Sequence, residues 1–274
     1  MNKKLRIGIV GCGAIGSSLA KIITRDFAQK AILSALEDIN CARSRDLSKR
    51  VSPGKNLAVA GLDELIRRSD LVIEAAHASV SAEIAARVIK AKRDIMIMSV
   101  GGVVGSFSKL QRLADANSRR IYIPSGAIAG VDALKAAAMG KIKKVILTTR
   151  KNPRSFAGVK YVADKKIDLK KIKKDTVIFS GAARQAMKFF PQNINVAGVL
   201  SIAGIGPVKT QVRLIASPAT TRNIHEIQIQ AEAGDIFTRT ENILHPDNPK
   251  TSYMAVLSAL ATLKQVLYPA RVGT

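Results

Sequence analysis

Apolar residues follow two rhythms along this chain. As far as residue 123, short apolar runs alternate with stretches in which apolar positions recur every three or four residues. The runs 6–10, 31–36, 57–60, 71–75, 95–100 and 120–123 predict strands, with Leu-Val-Ile-Glu-Ala at 71–75 the strongest. The stretches 14–23, Leu62–Arg68, 80–91 and 107–116 predict helices, and Ile15, Leu19, Ile22 and Ile23 share one helical face. Strand and helix in alternation imply a parallel sheet with helices on its faces.

Beyond Pro124 the rhythm changes. The segments 144–150, 175–180, Gln211–Ala216 and 223–230 predict strands, and two of them alternate polar and apolar residues as a half-exposed antiparallel sheet does. Helices are predicted over 182–189, 194–203 and 251–267, the last with Met254, Leu257, Leu260, Ala261, Leu263 and Leu267 on its apolar face. The domain junction is therefore drawn at Pro124. Residues 1–123 form a first domain, 124–240 a second α+β domain, and 241–274, with the last helix, pack back on the first. No internal repeat or low-complexity segment interrupts the chain.

Composition narrows the class. With 274 residues, 47% apolar and 23% charged, the chain can bury a substantial core. No apolar run reaches the roughly 18 residues of a membrane-spanning helix. The opening Met1-Asn2-Lys3-Lys4 leads into a run broken by Arg6 and followed by glycines, unlike a signal peptide, so a cytoplasmic location is expected. Cys12 and Cys41 are too few for a disulfide framework or a Cys-based zinc site, and no histidine pair has metal-ligand spacing. Lys and Arg number 44 against 20 Asp and Glu, a net charge of +24. Such a charge suggests nucleic acid, but aromatics are 4% and Trp is absent, so stacking platforms are scarce. The excess is densest at 141–174, where 13 basic residues face only Asp164 and Asp168. It reads as surface adaptation whose field draws in anionic reactants, and specific nucleic-acid binding is not expected.

Candidate chemistry begins at Gly11-Cys12-Gly13-Ala14-Ile15-Gly16, between the first predicted strand and helix. In that context Gly11 makes the tight turn, Gly13 lets a pyrophosphate approach the backbone, and Gly16 lets helix and strand pack. The N–H groups at the helix start, around Ala14 and Ile15, face the phosphates. Glu37 and Asp38 close the second strand, where an acid accepts hydrogen bonds from the adenosine ribose and repels a 2′-phosphate. The expected fold is thus a Rossmann-type, doubly wound α/β domain binding NAD. Arg43 and Arg45 lie near enough to serve the extra phosphate of NADP.

The second half holds one suggestive strand. Over 223–230 the period of two places His225 with Ile227 and Ile229, toward a packed or pocketed side. A core histidine is one reading; a proton-transfer group is the other. His77 follows a predicted strand end near where a nicotinamide would lie, and His245 sits in a Pro-containing loop.

Together, several stretches resemble the archaeal and bacterial L-aspartate dehydrogenases. They are 7–16, 98–101, 124–130, 190–197, 223–227 and the long runs 234–242 and 245–253. The resemblance spans essentially the whole chain and implies the Rossmann domain plus an α+β domain with an open mixed sheet. It implies NAD(P)-dependent oxidation of L-aspartate to iminoaspartate, which hydrolyses to oxaloacetate and ammonia or feeds quinolinate and NAD synthesis. By motif, His225 matches the active-site histidine, Ala127 and Asn195 match further NAD-contacting positions, and a homodimer is expected. For the substrate carboxylates, Lys209, Arg239, Lys250, Thr251 and Ser252 are candidates, the last two as a helix start. The chain departs from the family pattern at Gly198, at His77 and in its basic 141–174 segment. A dihydrodipicolinate- or homoserine-type reductase is the nearest alternative, though the former's His-His-x-x-Lys run is absent. A basic nucleotide-sensing, nucleic-acid-binding protein is the remaining one.

Overall fold

The computed structural model describes residues 3–190, 195–246 and 248–273, and it does not describe the side chains of 248–250. The chain forms two compact units. The first comprises Met1–Pro124 and Val256–Arg271, the second Ser125–Ala255 and Val272–Thr274.

In unit 1, strands β1 (Leu5–Val10), β2 (Ala31–Glu37), β3 (Leu71–Glu74), β4 (Asp94–Ile97) and β5 (Ile121–Tyr122) make a parallel sheet in the order β2-β1-β3-β4-β5. Helices α1 (Ala14–Asp26), α2 (Cys41–Val51), α3 (Leu62–Arg68), α4 (Ala78–Lys90) and α5 (Phe107–Asn117) connect the strands. The strand order reverses between β1 and β3, which defines the crevice where doubly wound sheets bind ligands. Four residues of the last helix (Val256, Ala259, Leu260 and Leu263) are buried in this unit's core with Ile7, Ile9, Leu19 and Ile73. Their spacing of three and four makes the stripe that the sheet covers.

Unit 2 contains α6 (Val131–Ala137), β6 (Ile142–Lys151), α7 (Lys160–Asp164), β7 (Thr176–Ala182), α8 (Ala183–Phe189), α9 (Asn195–Ala203), α10 (Gly206–Lys209), β8 (Gln211–Ala216), β9 (Asn223–Ala231) and β10 (Gly234–Asn242). The sheet order is β10-β9-β6-β8-β7, with β6 and β8 parallel and the other pairs antiparallel, an open mixed sheet. A small hairpin of β11 (Leu244–His245) and β12 (Asn248–Ser252) precedes α11 (Tyr253–Leu267). The basic segment folds over an aromatic nucleus. Tyr161 meets Phe179, Phe189 and Phe190 at ring separations of 5.8, 4.9 and 5.1 Å, and Phe156 packs edge-on to Phe190. These rings supply the unit's core, not a stacking surface for bases.

The structure departs from the sequence reading in places. The run at 57–60 makes only a parallel bridge from Ala58 to Leu36 and no strand. The strand at 95–100 ends at Ile97, and Val100–Gly102 turns away as a short 3-10 helix. There Ser99 donates its N–H to Glu74 instead of continuing the ladder. The final helix starts at Tyr253, because Thr251 and Ser252 pair within β12. Residues 241–255 belong to unit 2, so the return to unit 1 begins only at Val256. Helices α2 and α6 and strand β10 have no counterpart among the elements that the apolar pattern predicts. In α2 only Leu47 and Val51 are large apolar residues, and the helix start depends on Asn40, whose side chain accepts the N–H of Ala42. Among the described residues, no helix is long and apolar enough to cross a membrane.

Candidate active site

At the carboxyl ends of β1, β3 and β4 the loops of unit 1 are locked together. Gly11 has φ +92°, and a Cβ there would stand 2.4 Å from the Ala75 carbonyl oxygen. At Gly16 a Cβ would fall 1.9 Å from the carbonyl oxygen of Gly11. Gly13 differs: nothing lies within 4 Å of a Cβ built on it. Two glycines are therefore demanded by packing and the third opens a cradle. No side chain caps α1, so its first-turn N–H groups at Ala14, Ile15 and Gly16 remain available to an anion.

Asp38 is buried beside this loop. Its carboxylate accepts the N–H of Cys12 at 2.7 Å and of Asn40 at 2.8 Å. A carboxylate can accept further bonds, so Asp38 is fixed in place while retaining acceptor capacity. Glu37 is half-buried, and its carboxyl is raised above the usual range by burial and then by the charge of Asp38. Arg43 and Arg45 are exposed on α2. The glycine cradle, the uncapped helix start and the fixed acid fit a dinucleotide.

Glu74 is fully buried and braces the neighbouring loops. It accepts the N–H of Ala76 at 2.8 Å, the hydroxyl of Ser81 at 2.9 Å and the N–H of Ser99 at 3.1 Å. Burial pushes its carboxyl up, and the three donors oppose that shift. His77 is exposed and caps α4, its Nδ1 accepting the N–H of Ser79 at 3.3 Å. A helix-capping role accounts for this histidine.

In unit 2 the register builds a second site. His225 of β9 lies opposite Thr149 of β6 and Thr240 of β10, and Asn223 lies opposite Asn242. Residues two apart in a strand share a face. One face therefore carries Val145, Leu147, Ile227 and Ile229 at one end, and Thr149, Lys151, His225, Asn223 and Asn242 at the other. All nine are buried. The face changes from apolar to polar along its length.

Within the polar end, His225 Nδ1 and Thr149 Oγ1 are hydrogen-bonded at 2.9 Å. Asn242 donates to the Ala127 carbonyl at 2.8 Å, as does the Thr240 hydroxyl at 3.0 Å, tying the 125–130 loop to β10. Asn223 donates to Ser252 Oγ at 3.3 Å. Ala127 is thus anchored through its carbonyl, and Ser252 faces the buried asparagine instead of opening a helix. Asn195 is the exposed first residue of α9. The side chain of Lys250 lies outside the described residues, as do residues 191–194 and 247.

Burial, and then the positive charge of Lys151, push the His225 imidazole from its usual 6.5 to about 3. Burial brings the Lys151 ammonium from 10.5 to about 8. The imidazole is therefore neutral at physiological pH. Both shifts are depressions, so each group's contribution to stability is present above its unfolded value and lost as pH falls toward its folded value. For His225 that window runs from about pH 6.5 down to 3. Melting temperature measured against pH is expected to fall more steeply through this window in the native chain than in His225→Asn; parallel curves would contradict the assignment.

Of the proposed carboxylate ligands, Arg239 is on the wrong face. It pairs with Glu226 and, at 2.7 Å, with Glu241, and Glu226 also holds Arg150. Lys209 is exposed at the end of α10. The sequence reading missed Lys151, which is 5% exposed. Its signal was parity: Val145, Leu147, Thr149 and Lys151 alternate along β6, so a lysine occupies a position on the apolar side. Among the described residues no cluster of His, Cys, Asp and Glu has the makings of a metal site.

Comparison with known proteins gives a consistent picture. Residues 132–266 match the family model "Aspartate dehydrogenase, C-terminal", and residues 11–124 match "Homoserine dehydrogenase, NAD binding domain". The chain is 42% identical to an L-aspartate dehydrogenase of Methanosarcina barkeri, over 98% of this chain and 100% of the relative. It is 36% identical to L-aspartate dehydrogenase 3 of Bordetella bronchiseptica, over 99% and 98%. In fold it resembles the crystal structure of aspartate dehydrogenase from Thermotoga maritima, with a TM-score of 0.72 and 24% identity over 99% of this chain and 100% of that one. A homoserine dehydrogenase from Thiobacillus denitrificans superposes with a TM-score of 0.60 at 13% identity, over 98% of this chain and 76% of that one. With identity this high over nearly its whole length, the chain belongs to the L-aspartate dehydrogenase family.

Proposed function

We propose that this chain oxidises L-aspartate to iminoaspartate, with unit 1 holding a pyridine dinucleotide and His225 serving as the proton acceptor. The observation that carries this reading is a buried, neutral imidazole held by Thr149 at the polar end of a sheet face. The bound nicotinamide supplies the hydride acceptor for the substrate's Cα–H. Hydride loss from Cα requires a neutral amine, whereas free aspartate carries an ammonium group. When His225 Nδ1–H donates to Thr149 Oγ1, Nε2 is left as the acceptor for one ammonium proton. The charge of Lys151 works against protonation of the ring, so His225 holds the proton only in transit and gives it up to solvent, which frees the nitrogen again. The same nitrogen then activates water for attack on the imine, which releases ammonia and oxaloacetate.

NAD is the preferred cofactor on this reading, because the Asp38 side chain, held beside the glycine loop by the N–H groups of Cys12 and Asn40, would accept the ribose hydroxyls and disfavour a 2′-phosphate. Arg43 and Arg45 are free enough to permit NADP. Ala127 and Asn195 are assigned cofactor contacts, and a homodimer is expected, by the family resemblance. The purified protein should reduce NAD, and less efficiently NADP, with L-aspartate and with no other common amino acid. Monitoring absorbance of the reduced dinucleotide across that panel tests the reading, and no aspartate-dependent signal with either cofactor would refute it.

A further inference from the structure

We infer that Lys151 is the residue that selects a dicarboxylate, its ammonium group receiving the side-chain carboxylate of the substrate while His225 handles the amine. This deepens the proposed function and rests on it.

The argument is one of placement. Lys151 follows Thr149 by two residues on β6, so both project from the same face, and Thr149 stands directly opposite His225. Lys151 is therefore a diagonal neighbour of His225. Diagonal pairs across a sheet have Cβ atoms separated by about 7 Å, within reach of long side chains. The imidazole responds to the lysine's charge, which places the two groups within electrostatic range. A small amino dicarboxylate carries an amine and a distal carboxylate at a separation suited to bridging such a pair.

Two of the other cations considered are placed elsewhere. Arg239 is on the opposite face, engaged by Glu226 and Glu241, and Lys209 is exposed on α10. A cation buried at the polar end of the His225 face is worth more to an anion than a surface lysine, since water screens it less.

The test compares the native protein with Lys151→Met and Lys151→Arg. KM for L-aspartate should rise roughly 10- to 100-fold in Lys151→Met, as expected for loss of one charge-assisted contact, with kcat changed much less. Succinate, a dicarboxylate without an amine, should inhibit the native enzyme far better than propionate, and Lys151→Met should abolish that difference. Lys151→Arg should restore part of the discrimination. Dinucleotide affinity should be unchanged in both variants, which also checks their folding. An unchanged KM, or a preserved preference for succinate in Lys151→Met, would overturn the assignment. If Lys151→Met does not fold, a structure of the native protein with succinate decides: a carboxylate on another cation refutes the proposal, and one on Lys151 Nζ supports it. Succinate binding that depends on Lys151, in a protein inactive on aspartate, would uphold this site while refuting the reaction. Normal aspartate oxidation that is indifferent to Lys151 would do the reverse.

Discussion

His225→Asn is expected to leave a folded, dinucleotide-binding protein whose kcat for L-aspartate is lower by about 10²- to 10⁴-fold, the usual weight of one general base. Asparagine is polar and close in size, and its side chain can still hydrogen-bond Thr149. The neighbouring Ile227 and Ile229 therefore keep their packing. What is lost is a neutral ring nitrogen placed to relay the ammonium proton. The deficit should shrink as pH rises toward the pKa of free aspartate's amine, where more substrate arrives already deprotonated. Steady-state kinetics of the two proteins from pH 7 to 10 measure this. A deficit that does not change with pH would mean that His225 orients the substrate instead of taking its proton.

Gly13→Leu carries the other large effect. Nothing lies within 4 Å of a Cβ at this position, so a side chain can leave the backbone without a clash and the fold should survive. It does occupy the space that a pyrophosphate needs, and dinucleotide affinity should fall by ~100-fold or more, about 3 kcal/mol. The contrast is Gly16→Ala, whose single methyl would stand 1.9 Å from the Gly11 carbonyl oxygen and should lower the melting temperature. The chain has no Trp, so binding is followed through the fluorescence of the reduced dinucleotide itself. Tight binding by Gly13→Leu would remove the phosphates from this loop.

Both sites were partly legible before the structure. The glycine spacing, the acids at 37 and 38 and the face shared by His225, Ile227 and Ile229 are local patterns, set by backbone geometry within a few residues. The parallel first sheet followed for the same reason, since strand–helix alternation admits few other arrangements. Strand β10 was hidden because it mixes Thr238, Arg239, Thr240 and Glu241, with an apolar pair only at Ile236 and Phe237. Its order comes from pairing with β9 and from Thr238, Thr240 and Asn242 donating to the 127–129 backbone.

The candidate cations show the limit most clearly. Arg239 and Lys151 are both basic residues in strands, and composition offers no reason to prefer either. Register separates them. Arg239 lies opposite Glu226, one position from His225 and so on the other face. Lys151 has the parity of Thr149 and so shares the face of His225. The +24 charge is likewise a property of composition, yet it does not reveal which single lysine leaves the surface.

The amino-acid sequence alone determined the α/β class, the glycine turn between β1 and α1 and the face of His225, because each is encoded by spacings along one segment. The neutrality of His225, the brace formed by Glu74 and the burial of Lys151 depend on segments that are distant in sequence. They arise from strand pairing and exclusion of water, which exist only once the chain has folded.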